Sequence, residues 1–240
     1  MVDNNVCVLF LQVNETINNK YYKSFISKAS TNQISVHALD GSPNWVSDDG
    51  LPLQQTFISW LENYQKDALI NEKFKGIHLD VEPYKNSQYN ANINRVLENY
   101  QTFIVRFKTL VYSLKLEFGI DIPFWFYSVN YNTKYGKGNV AEWLCENVKS
   151  ITIVAHRDTA YSNIAYGSDG IIAISVAEMN LFNSHNVKGN IAVETGRLDD
   201  VNKLETFYEK GKAYMYQQLD LVQLGLFFVI VKRVQPTIIP

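Results

Sequence analysis

The chain has 240 residues, 46% of them hydrophobic and 19% charged, with a formal net charge of −2. That is enough to bury a large core in one globular domain, and the scattering of Lys and Arg without a basic stripe excludes nucleic acid as the main ligand. No apolar run is long enough to span a bilayer, and the opening Met-Val-Asp-Asn-Asn lacks the charged and apolar regions of a secretory signal. Cytoplasmic is therefore the default location, and a secreted one follows if an N-terminal segment has been removed.

In chain order, the first predicted strand spans residues 6–13 and contains Cys7, read with Cys145 as a small core residue because the two have no metal spacing. A glycosylation sequon, Asn14-Glu15-Thr16, follows; it matters only in a eukaryotic secretory setting. The second strand, 34–40, ends in Asp40 before Gly41, so Asp40 is a site residue or a turn-forming aspartate. Phe57, Trp60, Leu61, Tyr64 and Ala68 then repeat at helical spacing.

The third strand, 76–82, carries the most information. Alternation puts Ile77, Leu79 and Val81 on one face and His78, Asp80 and Glu82 on the other. An apolar face needs helices over it, whereas a His, Asp and Glu face needs partners or water. A parallel barrel meets both demands and places Asp80 and Glu82 at the carboxyl end of the strand, where functional groups gather. The competing reading is a buried ion-pair network.

A long amphipathic helix follows from Ile93 through Val96, Leu97, Tyr100, Phe103, Ile104, Phe107, Leu110 and Val111 to Leu114. Strands are expected next at 122–129, with Trp125 and Tyr127, and at 151–158, with His156 and Asp158 on the face of Thr152. Residues 170–178 admit two assignments: an eighth strand with Glu178 at its tip, or part of a helix from Ser168 or Asp169 to about 187. The helix is preferred because it leaves one βα unit of ordinary length. Strands at 190–195, with Glu194 facing inward, and at 226–232 complete the chain, separated by a helix capped by Asp199 or Asp200. Strand starts recur every thirty to forty-five residues or so, the length of a βα unit. The expected fold is thus α/β, a TIM-type (β/α) barrel over residues 1–240 as a single domain. Seven strands are visible, so one βα unit is missing or displaced, or the barrel is open.

Phe74-Lys-Gly-Ile-His-Leu-Asp-Val-Glu82 resembles the fourth-strand signature of the family-eighteen glycosidases, the chitinase and endo-N-acetylglucosaminidase group, whose pattern is Asp-Gly-x-Asp-x-Asp-x-Glu. Gly76, Asp80 and Glu82 match, while Lys75 and His78 stand in place of its first two aspartates. The resemblance implies that Glu82 is the general acid and that Asp80 orients the substrate's acetamido group for substrate-assisted attack. It places a sixth-strand tyrosine near 155–158, where His156 stands instead. Glu82-Pro83 and Glu194 are also similar to the strand-four acid/base and strand-seven nucleophile of the large clan of retaining barrel glycosidases, although Val81 replaces that clan's usual asparagine.

Glycosidic cleavage needs a proton for the leaving oxygen beside an ionised carboxylate, a pairing Asp80 and Glu82 provide. Their mutual repulsion and burial are expected to hold a proton on one of them, with Glu82 the candidate acid. The catalytic candidates are therefore Glu82, Asp80 and Glu194; the substrate-binding candidates are Asp40, Tyr84, Trp125, Tyr127, His156 and Asp158. Trp45 and Tyr131, also near strand ends, offer further aromatic faces for sugar rings. The expected partner is a carbohydrate, with no cofactor. The alternatives are a sugar-binding barrel without catalysis, or a metal-assisted hydrolase of another bond using His78, Asp80, Glu82 and His156, which no short ligand motif supports.

Overall fold

The computed structural model describes residues 6–155, 170–193 and 228–230. Its elements run β1 (Val8–Gln12), α1 (Asn19–Thr31), β2 (Ser35–Asp40), α2 (Leu51–Asp67), β3 (Gly76–Leu79), α3 (Ile93–Leu114) and β4 (Glu117–Pro123). They continue with β5 (Asn130–Thr133), β6 (Gly136–Asn139), α4 (Val140–Asn147), β7 (Ser150–Val154), α5 (Ile171–Ser184), β8 (Lys188–Val193) and β9 (Phe228–Ile230). One sheet takes the strands in chain order, β1-β2-β3-β4-β7-β8-β9, and every pairing in it is parallel. β5 and β6 form a separate antiparallel hairpin between β4 and α4. Among the described residues β1 and β9 do not pair, so the sheet has two edges.

Apolar residues on alternate positions explain the layering. Val36 and Ala38 of β2, Ile77 and Leu79 of β3, Ile120 and Ile122 of β4, and Ile151 and Ile153 of β7 are all buried, on the face that helices cover. α3 carries the expected stripe: Val96, Leu97, Tyr100, Phe103, Ile104, Phe107, Leu110 and Val111 are buried, and Asn92 caps its first turn by accepting from the Arg95 N–H. Among the described residues, no helix is long and apolar enough to cross a membrane.

Buried glutamines fix the connections. The Gln65 side chain of α2 pairs with both the N–H and the carbonyl of Phe74, at 3.0 and 3.1 Å, which sets where β3 begins. Gln54 donates to the Trp45 carbonyl at 2.6 Å.

Several expectations are corrected. The strand placed at 122–129 is instead β4, Glu117–Pro123: Pro123 ends the strand, and the Trp-Phe-Tyr run folds into a loop with a short 3-10 turn at Phe126–Ser128. Trp125 and Tyr127 are therefore loop residues. Cys7 is exposed rather than in the core, whereas Cys145 is buried in α4 as expected. Trp45 is a core residue, its ring stacked on Phe107 at 5.8 Å, so it offers no cleft face. Tyr131 is likewise buried, on β5. Residues 171–184 are helical, and the eighth strand is absent there.

Candidate functional site

The polar face of the sheet converges on the carboxyl ends of β2, β3 and β4. β3 stops at Leu79, and its next N–H, that of Asp80, donates to the Asp40 carbonyl at 3.0 Å, joining the tips of β2 and β3. Only glycine fits at position 41, because a Cβ there would lie 2.1 Å from the Asp80 carbonyl oxygen. This close approach sets Asp40 beside the start of the Asp80–Glu82 segment. The Asp40 carboxylate accepts the Gly41 N–H at 2.7 Å, and burial still raises it to about 6.

Asp80 carries the strongest electrostatic signature. Its Oδ1 is buried without a hydrogen-bond partner, and its carboxyl is raised to about 7, chiefly by burial and then by the negative charges of Asp121 and Glu82. Of the Asp80 and Glu82 pair, it is thus Asp80 whose carboxyl burial raises.

Glu82 departs from strand geometry. Its backbone is left-handed, φ 49° and ψ 63°, so the alternation that holds through His78 ends before it. The turn swings the carboxylate onto its own loop: the Tyr84 hydroxyl donates to Oε1, and the Lys85 ammonium lies 2.6 Å from Oε2. Tyr84 is further held by Trp125, edge to face at 5.0 Å between ring centres. Its hydroxyl is pushed well above the ordinary tyrosine range, chiefly by burial and then by the hydrogen bond to Glu82. Asn86 donates to the Pro43 carbonyl and the Ser47 hydroxyl at 2.8 and 2.9 Å, lashing this loop to the one after β2.

Deeper on the same face, His78 Nε2 lies 2.7 Å from Asp121 Oδ1, and its ring is stacked on Phe10 at 3.8 Å. His37 of β2 is also buried, with both ring nitrogens unpartnered; burial depresses it to about 4, so it is neutral at pH 7. Its 3.6 Å approach to Glu117 is consequently no ion pair at neutral pH. Asn190 of β8 donates to Thr152 of β7 at 3.3 Å, closing the described part of this layer.

Of the residues expected at the site, Asp40, Asp80, Glu82, Tyr84 and Trp125 stand at these loops. Tyr127 is half exposed, and it is its backbone N–H that makes a defined contact, to Glu178 Oε1 at 3.3 Å. His156, Asp158 and Glu194, together with the helix expected after Asp199 or Asp200, lie outside the described residues. Two residues escaped sequence reasoning. Asp121 shares a strand face with Glu117 and Gly119, a pattern visible in the alternation of Phe118, Ile120 and Ile122 once the strand is begun at Glu117. Glu178, fully buried on α5, holds the Phe126–Ser128 turn by its N–H groups, and burial raises it to about 7. The described residues contain no cluster of three or more His, Cys, Asp or Glu able to hold a metal ion.

No family model matches the sequence, and no curated relative matches it. Among solved structures, the chain is similar to catalytic domain 2 of the Group II chitinase of Ostrinia furnacalis, at 12% identity and a TM-score of 0.45, over 77% of this chain and 54% of that one. The C-terminal domain of a putative chitinase from Desulfitobacterium hafniense aligns at 14% identity and a TM-score of 0.47, over 76% and 51%. The spore cortex-lytic enzyme of Bacillus megaterium aligns at 11% identity and 0.46, over 77% and 49%. The chain spans about half the length of these structures.

Proposed function

We propose that this chain is a (β/α)-barrel glycoside hydrolase acting on a glycan or N-acetylhexosamine-containing glycoconjugate, with Glu82 as general acid. The observation that carries the reading is the disposition of two carboxyls just beyond β3. Asp80 retains a proton to about pH 7, and Glu82 is turned by a left-handed backbone onto a tyrosine hydroxyl and an ammonium group. Two carboxyls that share a proton in a partly desolvated site are what glycosidic cleavage requires.

In this reading the proton that Asp80 holds in the free protein passes to Glu82 as substrate binds, and Glu82 gives it to the leaving oxygen as the glycosidic bond breaks, leaving Asp80 ionised. The carbonyl oxygen of the substrate's acetamido group attacks the anomeric carbon, its N–H held by Asp80. Water then opens the resulting ring and returns a proton to Glu82. Because both Glu82 oxygens are engaged in the free protein, the substrate must displace Lys85 or Tyr84 before the acid is competent. Glu194 is the alternative nucleophile, and in that case its carboxyl should stand roughly 5 to 5.5 Å from that of Glu82. Tyr84 and Trp125 supply aromatic surface for the sugar, with Asp40, Tyr127, His156 and Asp158 as further binding groups.

The same engagement of Glu82, together with Lys75 and His78 at the positions of family aspartates, favours a second reading: a sugar-binding barrel without catalysis. Turnover of aryl glycosides and chitooligosaccharides by wild type, Glu82→Gln, Asp80→Asn and Glu194→Gln separates the possibilities. Loss by orders of magnitude in Glu82→Gln and Asp80→Asn supports the proposal. Near-normal Asp80→Asn with an inactive Glu194→Gln moves the nucleophile to Glu194. Full activity in Glu82→Gln rejects the role of Glu82, and calorimetric binding of chitooligosaccharide without turnover by wild type identifies the binding module.

A further inference from the structure

Behind the two carboxyls lies a buried pair that the proposed chemistry leaves without a role. The side chains of His78 and Asp121 are 1% and 14% exposed, and they meet at 2.7 Å through Nε2 and Oδ1. The imidazole fills the space of a side chain that β4 lacks: a Cβ on Gly119, the register partner of His78, would lie 2.5 Å from Nδ1. Phe10 covers the ring, with 14° between the planes. The ring is thus fixed in position as well as in its hydrogen bond.

Its protonation follows from the surroundings. Nδ1 is buried and has no partner. An imidazolium would leave a charged N–H donor there unsatisfied, whereas the neutral Nε2–H form leaves only an unused lone pair. The surroundings therefore assign His78 as a neutral donor to an ionised Asp121. Two residues beyond His78 on β3, as Asp121 is two beyond Gly119 on β4, stands Asp80. The titratable groups that face it are Asp121 from β4, Glu82, Tyr84 and Lys85 from its own loop, Tyr100 from α3, and His78 beneath it. The cation of this set, Lys85, is committed to Glu82.

We propose that His78 and Asp121 form a positioning dyad that fixes the distribution of the proton in the Asp80 and Glu82 pair, keeping it on Asp80 in the free protein. Asp121 acts through its charge, and His78 acts through Asp121 by holding that charge ionised and oriented. The dyad rests on the glycosidase reading for the use made of Asp80, but its test needs no substrate.

Carboxyl-carbon NMR of the full chain, labelled at aspartate and with Asp80 assigned by Asp80→Asn, follows each titration directly. Asp121→Asn is expected to lower the Asp80 midpoint by about one pH unit or more. His78→Leu removes the donor, so Asp121 should protonate at higher pH and the Asp80 midpoint should fall. His78→Gln, which keeps an N–H donor at a similar reach, should restore both. An Asp80 midpoint unmoved in Asp121→Asn overturns the proposal, as does an Asp121 midpoint unmoved in His78→Leu; if Asp121→Asn does not fold, the His78 pair decides. Full activity in Glu82→Gln would reject the glycosidase reading while leaving the titration result standing.

Discussion

Replacing Asp80 by Asn should make the protein more stable at pH 8, by an amount that shrinks steadily as pH falls towards about 4. Asn is a neutral near-isostere of the protonated carboxyl, so the difference between the two proteins isolates the ionisation of one group. The folded carboxyl is raised from its ordinary 3.8 to about 7, so between those limits the folded state binds the proton and the unfolded state releases it. Stability contributed by the protonated form is fully present below about pH 4 and is lost as pH rises through about 7. Each pH unit of displacement corresponds to about 1.4 kcal/mol, which bounds the loss at about 4 kcal/mol. Because Asp80 retains partial exposure, about 2 kcal/mol is the expected difference at pH 8. Urea denaturation of both proteins at pH 5, 6, 7 and 8 measures it. Parallel stability curves, or a variant less stable at pH 8, would refute the assignment of the proton to Asp80.

Other perturbations test different parts of the structure. His37 is depressed to about 4, so it stabilises the fold when neutral; that contribution is lost as pH falls from about 6.5 towards 4, and His37→Gln should flatten the acid limb of the wild-type stability curve. Gly119→Ala should destabilise by about 1 to 3 kcal/mol in thermal unfolding, because its methyl would enter the space of His78. By contrast Gly138→Ala, whose methyl would meet Tyr131 only at 3.4 Å, should be tolerated at a much smaller cost, and equal losses would discount the packing argument. Glu178→Ala strips the acceptor from the Tyr127 N–H and should cost about 1 to 3 kcal/mol, with faster hydrogen exchange at Tyr127; Glu178→Gln should preserve that protection. Trp45→Ala should cost about 3 to 5 kcal/mol by denaturant titration if its ring is core, and far less if it lines an open cleft.

Periodicity was a reliable guide where a single constraint dominates. The apolar stripe of α3 and the alternation of β3 each serve one packing demand; α3 stands where the pattern places it, and β3 begins at Gly76 as expected but stops at Leu79 instead of running to position 82. β4 was misplaced because Phe124, Trp125 and Phe126 look like a strand of bulky residues, yet Pro123 ends the strand and the rings pack as loop anchors. The face shared by Glu117, Gly119 and Asp121 was legible by the same rule that identified Asp80, but only with the strand begun five residues earlier. The left-handed turn at Glu82 had no signal of its own, since Glu is an ordinary residue for a strand end and a rare one for that backbone region. The burial of Trp45 was hidden for another reason: which aromatics enter a core depends on helix packing, here of α2 and α3, rather than on their distance from a strand end.

The backbone at Glu82 also shapes how this protein responds to selection. A residue with a side chain costs roughly 1 to 2 kcal/mol in the left-handed region, a penalty that glycine escapes. Variants of position 82 sorted for thermal tolerance alone should therefore enrich glycine and discard the carboxylate, so a stability screen at this turn runs against whatever the carboxylate does. Thermostabilised descendants of this chain that keep Glu82 would have had to gain their stability elsewhere.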